Sequence, residues 1–113
     1  RLMDYDGVGM NQSIQAASEL ARKKELQKRE VAERMEARLI AAFNGGMWKI
    51  NPSFISFMDI MSRYGKKVVV PDEYGIPREV VPNDLLDFAV KRYQEVMNQW
   101  HNEYVEMNRK KDG

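Results

Sequence analysis

The sequence predicts a mainly α-helical, elongated chain in which two long helices flank a short buried helix and a small β-hairpin. Three observations carry this prediction. No proline or glycine interrupts Asn11–Asn44. Apolar residues recur at three- and four-residue spacing across 82–111. Only one short β-branched run, Val68-Val69-Val70, reads as strand.

Residues 1–10 (RLMDYDGVGM) mix glycine, aspartate and scattered apolar side chains without period. They read as an extended arm ahead of a single elongated helical domain, 11–113. The apolar members Leu2, Met3, Tyr5, Val8 and Met10 suit docking on a neighbouring subunit. The first residue is Arg1 rather than Met, which fits a processed, truncated or renumbered chain.

Residues 11–43 read as one helix. Asn11 or Ser13 supplies the cap, and Asn44-Gly45-Gly46 the left-handed stop. Between Glu19 and Arg38 stand 12 charges. Glu19–Lys23, Glu25–Arg29 and Glu30–Arg34 have favourable i,i+4 order, each worth about 0.2–0.5 kcal/mol. The apolar stripe is thin: Ile14, Ala17, Ala21, then Val31, Met35, Leu39 and Ala42 after a charged gap. Such a stripe leaves the N-terminal half solvated or covered by a partner.

Residues 52–64 follow an Asn51 cap with Pro52 at the first helical position. Phe54, Phe57, Met58 and Met61 share one face, and Ile55 and Ile60 lie on another. Only Asp59 and Arg63 are charged, so this helix is expected to be the buried core element, with Phe57 at its centre. Over 67–81, Val68-Val69-Val70 and Val80-Val81 flank the turn Pro71-Asp72-Glu73-Tyr74-Gly75, which reads as a β-hairpin. The last helix, 82–111, opens on Pro82-Asn83-Asp84 and closes on Arg109-Lys110-Lys111, both suited to the macrodipole. Its stripe is Leu86, Ala89, Tyr93, Val96, Trp100, Tyr104 and Met107.

The lengths set the shape. A helix of 33 residues is about 50 Å long, whereas a compact chain of this length has a radius of gyration of about 13 Å. The two long helices are therefore expected to run antiparallel from a compact head, and to need another chain to cover what remains exposed.

Composition narrows the function. The 18 basic and 17 acidic side chains leave a net charge of +1, which gives no general drive toward nucleic acid or membrane surfaces. No stretch approaches the length of a membrane helix, so a membrane partner is not expected. There is no cysteine and one histidine, His101. Thiolate chemistry and two-histidine metal sites within a chain are excluded, and no glycine-rich phosphate fingerprint occurs. Asp72 and Glu73 with Asp59 could gather a metal. Asp72 after Pro71 also opens a nuclease pattern, but the return strand Arg78-Glu79-Val80 lacks the acid-x-Lys it requires. The turn reading is preferred. The chain is expected to be no enzyme and to hold no cofactor or metal.

Two surfaces remain. Arg22, Lys23, Lys24, Lys28 and Arg29 are candidate phosphate contacts, but interleaved acids favour a solvated, ion-paired helix face. Large aromatics and the helix stripes are candidate interface residues: Trp48 and Tyr74 in connecting segments, Val31, Met35 and Leu39 on the first helix, and Trp100 and Tyr104 on the last. Trp100 is expected to pack against Val31 or Met35 in an antiparallel interface, within a chain or between chains.

Three segments, Asn44-Gly45-Gly46-Met47-Trp48, Val70-Pro71-Asp72-Glu73-Tyr74-Gly75-Ile76-Pro77 and Arg92-Tyr93-Gln94-Glu95, make the chain resemble small accessory proteins of T4-like tailed bacteriophages. The stretch spans about half the chain. The resemblance implies a part of a virion or its assembly machinery, or a small adaptor of phage replication or transcription, located in the cytoplasm or on the virion. The expected function is thus non-enzymatic assembly through helix-mediated contacts with a protein partner or a second copy. The alternative is a nucleic-acid-associated adaptor or regulator.

Overall fold

The computed structural model describes the backbone of residues 2–112 and the side chains of residues 13–109. The chain is mainly α, with two small antiparallel hairpins. Its elements are α1 (Leu2–Arg38), β1 (Ile40–Phe43), β2 (Gly46–Lys49), α2 (Pro52–Met61), β3 (Val68–Pro71), β4 (Pro77–Val80) and α3 (Pro82–Asp112).

The first helix departs from expectation at both ends. It begins at Leu2, so the segment expected as an extended arm continues α1. No proline bars the way, and Gly7 and Gly9 each cost only about 1 kcal/mol against alanine. The arm's side chains lie outside the described residues. The helix stops at Arg38, not Phe43, because Ile40–Phe43 form β1 and pair with β2. Asn44 and Gly45 are the two loop residues between Phe43 and Gly46, with φ of 49° and 79°. Two successive positive φ values make the turn whose twist matches paired strands. The Asn-Gly pair is therefore a hairpin turn and not a helix stop.

This hairpin is tied down from inside. Trp48 Nε1 donates to the Phe43 carbonyl at 2.9 Å. A side chain on Gly46 would meet the Trp48 ring at 2.9 Å, so only glycine lets the indole lie flat there. Ile50 N donates to Leu39 O at 2.8 Å and closes the hairpin's base.

In α2 the Asn51 side chain accepts from Phe54 N at 2.7 Å, and Pro52 takes the first turn. The helix ends at Met61, four residues before Gly65, with Ser62 as cap. Phe57, expected at the core, is 44% exposed, and Ile60 is exposed with it. The buried residue is Met58. The reason is geometric: α2 lies against the head with one face, which takes Phe54, Ile55, Met58 and Met61 and turns Phe57 and Ile60 outward.

Strands β3 and β4 pair Val68 with Val80 and Val70 with Arg78. Val70 and Val80 point inward while Val69 points to solvent, the alternation of a half-buried hairpin. Two adjoining apolar clusters form the head. One gathers Leu39, Ala41, Ile50, Ala89 and Val96, and the other Trp48, Met58, Val70, Val80 and Leu85. Phe43 and Phe88 stack between them, ring centroids 4.5 Å apart. From this head α1 and α3 extend as an antiparallel pair, giving a particle of 78 × 29 × 21 Å with a radius of gyration of 22.6 Å.

Candidate functional site

Beyond the head, α1 and α3 enclose an open cleft of about 750 Å³. From α1 it is lined by Leu20, Lys23, Lys24, Gln27, Glu30, Val31 and Arg34. Gln99, Asn102, Glu103, Glu106 and Met107 line it from α3. Its position follows from residue size and charge. Nearer the head, Met35, Val96 and Met97 fill the space between the helices. Farther out the inward positions of α3 carry Gln99, Glu103 and Glu106, which are too polar to make a dry seam.

An ionic clamp marks the inner end of the cleft. Arg38 Nη1 donates to Glu103 Oε1 at 3.0 Å, and Arg34 Nη2 stands 3.5 Å from Glu103 Oε2. That Oε2 atom is buried and accepts no hydrogen bond, so Arg34 holds it by charge alone. The end of α1 is secured from the other side. Arg92 Nη1 donates to the Arg38 carbonyl at 3.4 Å, and its guanidinium lies 5.5 Å from the Phe88 ring centre. A cation at these last carbonyls complements the helix dipole.

A second polar constellation lies in the head. Asp72, 7% exposed, accepts from Tyr74 N at 2.9 Å and Ile76 N at 3.0 Å through Oδ1. Its Oδ2 takes Arg78 Nε at 3.3 Å and Met47 N at 3.4 Å. Burial pushes this carboxyl up, but the amides of Ile76, Tyr74 and Met47 and the Arg78 guanidinium outweigh it and hold it below the ordinary value. Glu73 N donates to Met47 O at 2.7 Å, so the turn also locks one hairpin to the other. The acceptor positions of Asp72 are taken by the turn amides of Tyr74 and Ile76, by Arg78 of β4 and by Met47 of β2, which is a structural role. Among the described residues no three acidic or histidine side chains gather to hold a metal.

The sequence-derived interface residues fall into different places. Trp48 is 1% exposed and serves the core, so it is no docking anchor. Val31 and Leu39 are buried within the chain, and Met35 packs beside the first core cluster. Trp100 is half-buried on α3, and Tyr74 and Tyr104 are exposed. His101 is exposed on α3. Arg22, Lys23, Lys28 and Arg29 stand exposed along α1, with Lys24 half-buried at the cleft. Among the described residues these five make no ion pair within 4 Å. The expected i,i+4 pairs are not closed, and Arg34 turns away from Glu30 to Glu103.

The clamp formed by Arg34, Arg38, Arg92 and Glu103 escaped the sequence reading, in which Arg34 was expected to pair with Glu30. One signal was present: Ala89, Val96 and Glu103 are seven residues apart, so a carboxylate continues the inward line of α3 where Tyr104 had been expected. No helix among the described residues is long and apolar enough to cross a membrane. Comparison with known protein families, curated proteins and solved structures finds no match.

Proposed function

We propose that this chain is a non-enzymatic assembly protein that works through helix-mediated protein–protein contacts, with the head fixing the geometry of the two long helices. The observation that carries the reading is the open cleft. Its floor holds Leu20, Val31 and Met107 between charged rims, and no side chain among the described residues fills it. Leu20 is 55% exposed, and Ile14 and Leu26 are exposed on the same helix. Together with the resemblance in sequence, this favours a component of a phage virion or of its assembly machinery.

The test is a charge at the cleft floor. Leu20→Glu is tolerated by the fold because the position is exposed. Association, followed by light scattering of the pure protein and by co-purification from the source cells, should fall sharply. The melting temperature should stay within a degree or two of the parent. Association untouched by Leu20→Glu would refute the cleft as the contact surface.

The alternative, a nucleic-acid-associated adaptor, is favoured by one observation. Arg22, Lys23, Lys24, Lys28 and Arg29 are unpaired among the described residues, and unpaired cations on one helix can meet phosphates.

A further inference from the structure

We propose that the open edge of β1 docks an extended strand of a partner protein, which adds a third strand to the first hairpin. The inference rests on the assembly reading above and gives the head a contact of its own, separate from the cleft.

Hydrogen-bond alternation locates the edge. Opposed residues in an antiparallel pair alternately exchange both backbone bonds and none. Ile50 N donates to Leu39 O at 2.8 Å, so Ala41–Trp48 and Phe43–Gly46 are of the bonded kind. Ile40–Lys49 and Ala42–Met47 are of the other kind, and their N–H and C=O groups point away from the hairpin. Met47 uses its pair on the β2 side. Its N–H reaches Asp72 Oδ2 at 3.4 Å, and its carbonyl takes Glu73 N at 2.7 Å. On the β1 side the same groups of Ile40 and Ala42 meet no backbone partner among the described residues, and both residues are exposed.

The other three edges are guarded, as edge strands usually are. Asp72 N donates to Ile76 O at 2.9 Å. By the same alternation Val69 and Pro71 face outward on β3, and Pro77 and Glu79 on β4. A proline supplies no donor at either edge, and Glu79 adds a charge. On β2 the turn covers Met47, and Lys49 is charged. Ile40-Ala41-Ala42-Phe43 holds neither proline nor charge. Length does not set it apart, since each strand has 4 residues.

The unspent groups specify the occupant. Two N–H and two C=O groups on alternate residues are matched by a backbone in extended conformation. A strand laid antiparallel there places one residue beside Ala41. On that face Leu39, Ala41 and Ile50 are core, and Phe43 stacks on Phe88. The residue beside Ala41 is therefore apolar, and the small alanine leaves room for a large one. A second copy of this chain fits the edge poorly. Its β1 follows α1 after Leu39 alone. That brings a helix about 10 Å across to an edge where strands stand about 4.8 Å apart. A flexible segment carries no such bulk.

Amide exchange of the full chain, read residue by residue by NMR, is the test. In the free protein Ile40 and Ala42 should exchange at least about tenfold faster than Ala41 and Phe43, whose amides face β2. The probe is a blocked five-residue peptide with isoleucine at its centre and threonines around it. At millimolar concentration it should slow Ile40 and Ala42 at least about threefold and leave Val69 and Glu79 unchanged. The same peptide N-methylated at its second and fourth residues, which face the edge, should do nothing. Ala42→Pro removes an outward N–H and spares the ladder. Ala41 and Phe43 should stay protected in that variant, while the peptide no longer slows Ile40. Equal exchange of all four amides in the free protein would overturn the inference. So would a peptide that slows neither residue, or a methylated peptide that slows them equally. Slowing of Ile40 and Ala42 that grows with protein concentration alone would mean that a second copy pairs there, and would also overturn it. None of these outcomes bears on the cleft, which Leu20→Glu tests, so the two readings fail separately.

Discussion

Arg38 and Glu103 lie 65 residues apart in sequence and meet at 3.0 Å across the two long helices. Glu103 also draws Arg34, so one carboxylate gathers two guanidinium groups where the dry core gives way to the open cleft. This clamp sets the separation of α1 and α3 beyond the head, and with it the width of the cleft.

Glu103→Ala should therefore loosen the helical pair. The carboxylate is three-quarters shielded, so its loss falls between an exposed pair and a charged hydrogen bond, about 1–2 kcal/mol. Thermal melting should drop by several degrees. A double-mutant cycle with Arg38→Ala should give a coupling near 1 kcal/mol, and a coupling below about 0.3 kcal/mol would show that the pair is incidental.

Met58 and Phe57 are neighbours in α2 with opposite fates. Met58 is fully buried, so Met58→Ala should cost about 2–5 kcal/mol. Phe57 is half in solvent, and Phe57→Ala should cost less than about 1.5 kcal/mol. Chemical denaturation of the two variants separates them, and the reverse order would mean that α2 is turned about its axis.

How far α2 was legible in the sequence follows from the same pair. Its start was readable, since Asn51-Pro52 is a local signal that depends on backbone chemistry alone. Which of its apolar faces is covered depends on what packs beside it, and that partner is α3, thirty residues away. The second hairpin and the start of α3 at Pro82 were also legible from local turn and cap residues. The first hairpin was not, because Asn44-Gly45 serves equally as a helix stop and as a hairpin turn, and pairing with β2 decides between them. Trp48 was misplaced for the same reason: once β2 pairs, its alternation sends the indole inward. In the cleft, the stripe residues were visible, but the clamp at Glu103 was hidden by its polarity.

Asp72 predicts a pH response. Its folded carboxyl is held below the ordinary value of 3.8 by the amides and Arg78, against the opposing effect of burial. The stabilisation is therefore fully present above pH 3.8 and is lost as pH falls through the lower folded value. Acid melting followed by tryptophan fluorescence should show this loss. Asp72→Asn should melt below the parent at neutral pH, and the gap should narrow in acid. A constant gap from neutral pH to pH 3 would rule out the carboxylate as its source.

The basic face of α1 gives the adaptor reading its own test. Arg22, Lys23, Lys24, Lys28, Arg29 and Arg34 exceed Glu19, Glu25 and Glu30 by three charges, so contact with about three phosphates predicts a slope near −2.7 in log affinity against log salt, and binding that weak disappears at physiological salt. The assembly reading expects this outcome. Submicromolar duplex binding at physiological salt, abolished by Arg22→Glu with Lys28→Glu and Arg29→Glu, would establish the adaptor instead.

The most direct measurement is the mass in solution from micromolar to millimolar concentration, by light scattering, for the parent and Leu20→Glu. The parent mass should climb from 13.2 kDa toward twice that value, while Leu20→Glu stays at the monomer mass throughout. A parent that remains at 13.2 kDa at every concentration, and that retains no protein partner from its source cells, would contradict the account.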